Sequence, residues 1–315
     1  MYHKLELLLA WIFYFETPTT KAVGSELVTN FQPTALVVGG AKKLYFFPVI
    51  LILLLPLILP AQNKYSITRD VIYGHKSGMA LSYDVFRPDS ANGAGIIHLV
   101  SGSWNSRYME PDSVAINYEP LLDEGFTVFA LRHSSNPKFN VPEMVDDVIR
   151  GTWHIKQNSY FFGVDSSRLG IFGGSSGGQL ALVAGLSGDK HPVRAIVAFF
   201  PPVDLQKTPD FLKAMIPALD FDTTLAASVS PILFPSPDDP PVLLIHGDRD
   251  FVVDVSQSKK MYEALQQNNV VSRLIIYEDM LHGNSYGAKG KYKDEATREM
   301  ISWFRKYLID YDLKD

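Results

Sequence analysis

The residues with the most chemical content lie in the segment 168–185, RLGIFGGSSGGQLALVAG. A short apolar run, Leu169 to Phe172, empties into a glycine- and serine-rich turn that opens onto a helix-forming run. The pattern G-x-S-x-G fits there twice: Ser175 stands between Gly173 and Gly177, and Ser176 between Gly174 and Gly178. A serine in that setting sits on a sharp, strained bend, and only glycines two residues to either side let strand and helix approach so closely. The bend lifts the hydroxyl out of the sheet and sets it at a helix N-terminus. Unpaired backbone N–H groups and the helix dipole favour developing negative charge there. Nucleophilic attack on an acyl carbon, by Ser175 or Ser176, is the chemistry this arrangement suits.

Two plainer accounts compete. Glycine and serine are common in loops for purely conformational reasons. A glycine-rich turn can also cradle phosphate, but it should then follow the first strand and lead to an acidic residue about 20 positions on, at the end of a second strand. Here the turn follows roughly the fifth strand, and Asp189 falls in a loop, which disfavours a nucleotide.

A serine nucleophile needs a base, and the base needs an acid to orient it. Downstream, the segment 241–253, PVLLIHGDRDFVV, is an apolar strand ending in an acidic turn that offers Asp248 and Asp250. Of the eight histidines only His282 follows, in the loop segment 277–284, YEDMLHGN. The absence of cysteine removes thiol nucleophiles, thiolate zinc sites and disulfide frameworks together.

These residues need a scaffold that brings three distant segments to one edge. Met79 to Arg87 alternates apolar and polar residues, as a half-buried strand does. Gly95 to Val100, Phe126 to Leu131, Leu169 to Phe172, Ala195 to Phe200 and Val242 to Ile245 are short β-rich runs suited to buried parallel strands. Helical patterns cover Pro142 to Gln157, Val255 to Gln267 and Lys293 to Leu308, with a further strand at Arg273 to Tyr277. Alternating strands and helices predict an α/β, doubly wound, mostly parallel sheet with helices on both faces.

At this point the chain resembles the α/β-hydrolase superfamily, in particular small secreted esterases and lipase-like carboxylesterases. Their nucleophile turn often reads G-D-S-A-G-G-N-L-A. The segment 173–181, GGSSGGQLA, overlays that pattern with Ser175 as nucleophile and Ser176 in the alanine slot. The acid turn is similar to the family's H-G-x-x-D-x-x-V, which implies Asp250 as the acid and leaves Asp248 to close the turn. The order serine, acid, histidine then implies His282 as general base. Asp254 stands where the family often has proline, and with Gln257 three residues on it reads as a helix N-cap.

Many relatives carry H-G-G-G-W after the third strand. This chain reads Ser101-Gly-Ser-Trp-Asn105, and the resemblance implies an oxyanion hole formed by the N–H of Ser103 or Trp104 together with that of Ser176. The opening strands over 73–88, the positions Arg132, Phe139, Pro142 and Asp147, and the approach Ser230-Pro231 and 238–242 (DDPPV) also match, so the resemblance runs from about Val71 to the last helix. An insertion between Leu205 and Ser236, with Phe211, Leu212, Met215 and Leu219, is either a short lid or an ordinary packing segment.

The resemblance implies a serine hydrolase of carboxylic esters acting on a small-molecule ester, with no metal or organic cofactor. A prolyl-oligopeptidase-like peptidase shares such a domain but carries several hundred further residues. A non-catalytic binding protein of the same fold has no reason to keep all three residues in order.

With 29 basic against 34 acidic residues and no concentration of Lys or Arg, the charge excludes an electrostatic nucleic-acid partner. The mean hydropathy of +0.02 is high for a domain of this kind. The excess sits in Leu44 to Ala61, LYFFPVILILLLPLILPA, an uncharged run behind Lys42 and Lys43. A basic flank, an apolar run and a small residue before Gln62 is the layout of a signal peptide. The competing reading is a membrane anchor, weakened by Pro48, Pro56 and Pro60. Residues 1–43 then read as an N-terminal extension, from a mis-assigned start near Val37 or Val38 or as part of a two-pass membrane N-terminus. The expected organisation is therefore an extension at 1–43, a signal peptide or anchor at 44–61, and a catalytic domain at 62–315. That catalytic domain is secreted, periplasmic, or held outside by the anchor.

Overall fold

A computed structural model describes residues 64–310, apart from 189, 209, 285 and 287–291, and of Phe211 and Leu212 the backbone only. The expected extension, the export segment and the loop position of Asp189 lie outside the described residues. One compact unit of the chain takes in all of the described residues. Among them, no helix is long and apolar enough to cross a membrane.

The frame is an eight-stranded sheet. Strand β1 (Tyr65–Lys76) turns through Ser77 and Gly78, both at positive φ, into β2 (Met79–Pro88), and the two pair antiparallel. The rest are β3 (Gly95–Leu99), β4 (Thr127–Leu131), β5 (Leu169–Gly174), β6 (Ala195–Phe199), β7 (Val242–Gly247) and β8 (Ser272–Tyr277), in the order β1-β2-β4-β3-β5-β6-β7-β8. β2 meets β4 antiparallel, and every pairing beyond β4 is parallel. This is the α/β-hydrolase arrangement that the sequence predicts.

The helices are α1 (Pro111–Val114), α2 (Glu119–Leu122), α3 (Val141–Asn158), α4 (Ser176–Leu186), α5 (Asp210–Met215), α6 (Ser256–Gln267) and α7 (Lys293–Leu308). Successive strand residues point to opposite faces, so each buried strand feeds two cores. Ile97 and Leu244 join the core shared with α3, α4 and α6. Their neighbours Ile96 and Leu243 join the core under α2 and α7. Both sheet faces are therefore covered, as an apolar parallel sheet requires.

Local chemistry sets the helix boundaries. α3 starts in a capping box: the Asn140 side chain accepts from Glu143 N–H at 3.2 Å, and Glu143 Oε2 accepts from Asn140 N–H at 3.0 Å. The cap expected from Asp254 and Gln257 does not form. Asp254 Oδ1 takes the Ser256 N–H at 2.9 Å, but Gln257 Oε1 accepts instead from Val203 and Asp204 N–H, at 2.8 and 3.0 Å. Two backbone donors across the fold outcompete the local box.

The insertion between Leu205 and Ser236 is mostly a succession of single turns around the short α5. Ala218, Leu219 and Val229 are buried in the core rather than held above the sheet.

Close packing fixes one stability prediction. A Cβ on Gly170, in β5, would lie 2.5 Å from Phe304 Cε1 and 3.1 Å from Leu308 Cδ1 of α7. Gly170→Ala should therefore lower stability by roughly 1–3 kcal/mol through overpacking. Urea unfolding checks this: the midpoint falls at an unchanged slope, and an unchanged midpoint would refute it.

Candidate active site

The three segments singled out in the sequence meet at the C-terminal edge of the parallel strands, where ligands bind in open α/β sheets. Ser175 links β5 to α4 with φ 55° and ψ −123°, a strained conformation for a residue with a side chain. It is held by its own N–H donating to Phe199 O at 2.9 Å, and by Gln179 N–H donating to Ser175 O at 3.1 Å. The flanking glycines are there for space. A Cβ on Gly173 would lie 2.3 Å from Gly177 O, and one on Gly177 would lie 2.7 Å from Leu99 O. The helix ladder begins at Gln179, so the N–H groups of Ser176, Gly177 and Gly178 precede it and stand unpaired by the helix.

Ser175 Oγ lies 3.1 Å from His282 Nε2, and His282 Nδ1 lies 2.5 Å from Asp250 Oδ2. All three residues are buried. The loops bearing Asp250 and His282 are stitched together: Asp248 N–H donates to Tyr277 O at 3.1 Å and Arg249 N–H to Met280 O at 3.2 Å. Gly247 makes this approach feasible, since a Cβ there would lie 2.2 Å from Met280 O. The Phe200 ring packs on the imidazole of His282, centroids 4.5 Å apart.

Asp250 closes its own turn, correcting the expectation that Asp248 would do so. Asp250 Oδ1 accepts from Val252 and Val253 N–H, both at 2.9 Å, while Asp248 is exposed. Burial alone would raise the Asp250 carboxyl. Hydrogen bonds from His246 and His282, with the charge of those rings, outweigh it and hold it down at about 2.

Ser176 lies elsewhere. Its Oγ is 3.0 Å from Ser101 Oγ and accepts from Trp104 N–H at 3.0 Å. The second serine thus pins the loop after β3 to the start of α4. Within that loop Ser103 (φ 50°) and Trp104 (φ 55°) form the tip of a tight reversal between Gly102 and Asn105. The indole Nε1 of Trp104 donates to Gln179 Oε1 at 3.0 Å, and Gln179 Nε2 donates to Val229 O at 2.8 Å. Of the two loop donors expected for an oxyanion, Trp104 N–H is committed to Ser176 Oγ. The N–H of Ser103 makes no hydrogen bond among the described residues.

Arg132 and Asp147 match the family pattern but do not enter the site. Arg132 pairs with Asp84 and with Asp70, the latter at 2.7 Å. The fully buried Asp147 accepts from Lys76 Nζ at 2.9 Å and from Ser134 N–H at 3.1 Å. They brace the segment after β4.

A separate cavity of about 190 Å³, walled in part by His98, Tyr118, Phe172, Phe199 and Tyr286, does not include Ser175, Asp250 or His282 in its lining. Burial lowers the pKa of His98 there to about 3, which leaves its imidazole neutral.

Sequence reading missed Ser101, Gln179, His246 and Ser258. His246 had a signal, a histidine closing an apolar strand two residues before an acidic turn. The others are ordinary polar residues whose partners lie far away in sequence.

Comparison with known proteins agrees with this architecture. The chain is 25% identical over 237 residues to a Mycobacterium tuberculosis protein named Esterase LipQ, covering 67% of this chain and 56% of that one. It spans 56%, 57% and 60% of the length of three curated esterases it matches. Among solved structures, a truncated carbohydrate esterase from gut microbiota superposes with a TM-score of 0.65 at 25% identity, covering 79% of this chain and 98% of that one. Esterase 2 of Thermogutta terrifontis, in a form phosphonylated by sarin, superposes with a TM-score of 0.67 at 17% identity over 79% of this chain and 98% of its own, a likeness of fold. The family model described as BD-FAE matches residues 83–265, from β2 into α6, a span that includes Ser175 and Asp250 and stops short of His282. With an eight-stranded hydrolase sheet and more than half its length matched, the chain belongs to the BD-FAE family.

Proposed function

We propose that the protein is a serine hydrolase of carboxylic esters that works through Ser175, His282 and Asp250. The observation that carries this reading is the buried line from Ser175 Oγ to His282 Nε2 and from His282 Nδ1 to Asp250 Oδ2, with the serine held on a strained turn. Ser175 Oγ attacks the ester carbonyl as His282 Nε2 takes its proton. Asp250 keeps the hydrogen on Nδ1 and stabilises the imidazolium. The tetrahedral oxyanion is received by the N–H groups of Ser176 and Ser103, the donors not already committed. His282 then protonates the departing alcohol. Water, deprotonated by the same nitrogen, attacks the acyl-enzyme and releases the carboxylate and free Ser175.

The names of the relatives support an ester as substrate, and the apolar run at 44–61 supports an exported domain, cleaved after Ala61 or held by an anchor.

One experiment tests these parts together. The protein, produced with its own N-terminus, is treated with a fluorophosphonate, its intact mass and labelled peptide are read, and short- and long-chain acyl esters are assayed beside a prolyl-peptide substrate. The expected result is one label, on Ser175, on a chain beginning at Gln62, with ester turnover exceeding peptide turnover. No label refutes the nucleophile, a first residue upstream of Lys42 refutes cleavage, and dominant peptide turnover refutes the ester reading.

A further inference from the structure

We propose that His246 is a positioning residue for the acid: its Nε2–H, fixed by Ser258 and Val253, shares the Asp250 carboxylate with His282 and so sets the pH at which His282 becomes an active base. This rests on reading Ser175, His282 and Asp250 as the nucleophilic line.

His246 is the penultimate residue of β7, in the same segment as the acid, and it is fully buried. Its Nε2 lies 2.9 Å from Val253 O and 3.3 Å from Asp250 Oδ2, and its Nδ1 lies 2.7 Å from Ser258 Oγ on α6. A carbonyl oxygen only accepts, so Nε2 must carry the hydrogen, and Nδ1 of the neutral ring then accepts the Ser258 hydroxyl. Ser258 is itself fully buried, which leaves the tautomer no alternative partner in water. Asp250 Oδ2 therefore faces the His282 N–H at 2.5 Å and lies 3.3 Å from His246 Nε2, whose one hydrogen it shares with the nearer Val253 O at 2.9 Å, while Oδ1 is taken by two backbone N–H groups.

The other groups facing His246 are few. The Asp254 carboxylate acts on it from the turn before α6, the Phe200 ring lies 6.4 Å away beyond β6, and His282 stands across Asp250.

Each N–H given to a carboxylate lowers its affinity for a proton and the charge it offers to its next partner. The His246 donor thus weakens the pull of Asp250 on the His282 imidazolium. Removing it returns that charge to His282, stabilises the protonated ring and raises the pKa of the base. Activity requires the neutral ring, so the acid limb of the pH profile moves to higher pH.

The test follows kcat/KM for p-nitrophenyl butyrate and the rate of fluorophosphonate labelling against pH, in the wild type and in His246→Leu, His246→Gln and Ser258→Ala. His246→Leu should move the acid limb upward by roughly half to one pH unit. His246→Gln, whose amide N–H can reach the same acceptors, should keep it in place. Ser258→Ala should produce a smaller shift in the same direction as Leu.

A limb unmoved in His246→Leu, whatever the fall in plateau rate, makes His246 a packing residue and overturns the proposal. Should that variant not fold, an unmoved limb in Ser258→Ala does the same. Wild-type labelling at Ser175 is read first. Its absence overturns the nucleophile reading itself, whereas labelling with unmoved limbs overturns only the role of His246.

Discussion

Ser175→Ala should lower ester turnover by on the order of 10⁴–10⁶-fold and abolish fluorophosphonate labelling. The size follows from the geometry, because Ser175 Oγ is the hydroxyl 3.1 Å from the base, at the head of a helix whose first N–H groups are unpaired. Without it the His282 proton acceptor has nothing to activate except water, and no covalent intermediate forms. The neighbouring serine is the sharp control. Ser176 Oγ is occupied by Trp104 N–H and Ser101 Oγ, so Ser176→Ala should keep the label. It should lose roughly fivefold in rate, because the loop carrying Ser103 loses the Trp104 N–H anchor, a bond worth about 1 kcal/mol. Labelling that survives in Ser175→Ala, or vanishes only in Ser176→Ala, would reverse the assignment.

Asp250→Asn should cost on the order of 10⁴-fold in kcat with little change in KM. The two oxygens of Asp250 have different duties. Oδ1 accepts from Val252 and Val253 N–H, so the oxygen of an asparagine amide must take that place. The NH₂ group is then turned toward His282 Nδ1, where it can only donate. The imidazole is driven to carry its hydrogen on Nε2, facing Ser175 Oγ, and it cannot accept the serine proton.

The depressed pKa of Asp250, about 2, also fixes a sign. The carboxylate is ionised at any working pH, so the acid limb of wild-type activity does not belong to Asp250. Steady-state kinetics and a pH profile check both points. An Asp250→Asn enzyme within tenfold of wild type would remove Asp250 from the mechanism and leave Asp248 to be tested.

Most of the scaffold was legible because its signals are short-range. Gly173 marks the turn before any long-range contact is known, since a β-carbon there would collide with Gly177 O four residues on, whereas the need for Gly177 comes from Leu99 O, 78 positions away. The capping box of Asn140 and Glu143 lies within four consecutive residues. The same rule predicts an Asp254–Gln257 box that does not form, because Gln257 Oε1 accepts instead from Val203 and Asp204 N–H, across the fold. Ser176 shows the same limit. Its membership of a second G-x-S-x-G is visible, but its attachment to Trp104 spans 72 positions and is not. The turn that closes on Asp250 rather than Asp248 was decided by a contact two and three residues away that either aspartate could have made in principle.

The sequence by itself determined the nucleophile turn, the order of serine, acid and base, the parallel sheet that must carry them, and the absence of thiol chemistry. The turn, the sheet and the missing thiols follow from residue type, period or spacing along the chain, and the order of serine, acid and base from the resemblance to the α/β-hydrolases. Only the tertiary structure decided which hydroxyl faces the base, which loop N–H is free, and that a second histidine shares the acid. Those depend on directions of side chains from β3, β5, β7 and α6 meeting within about 3 Å, a quantity that no one-dimensional pattern encodes.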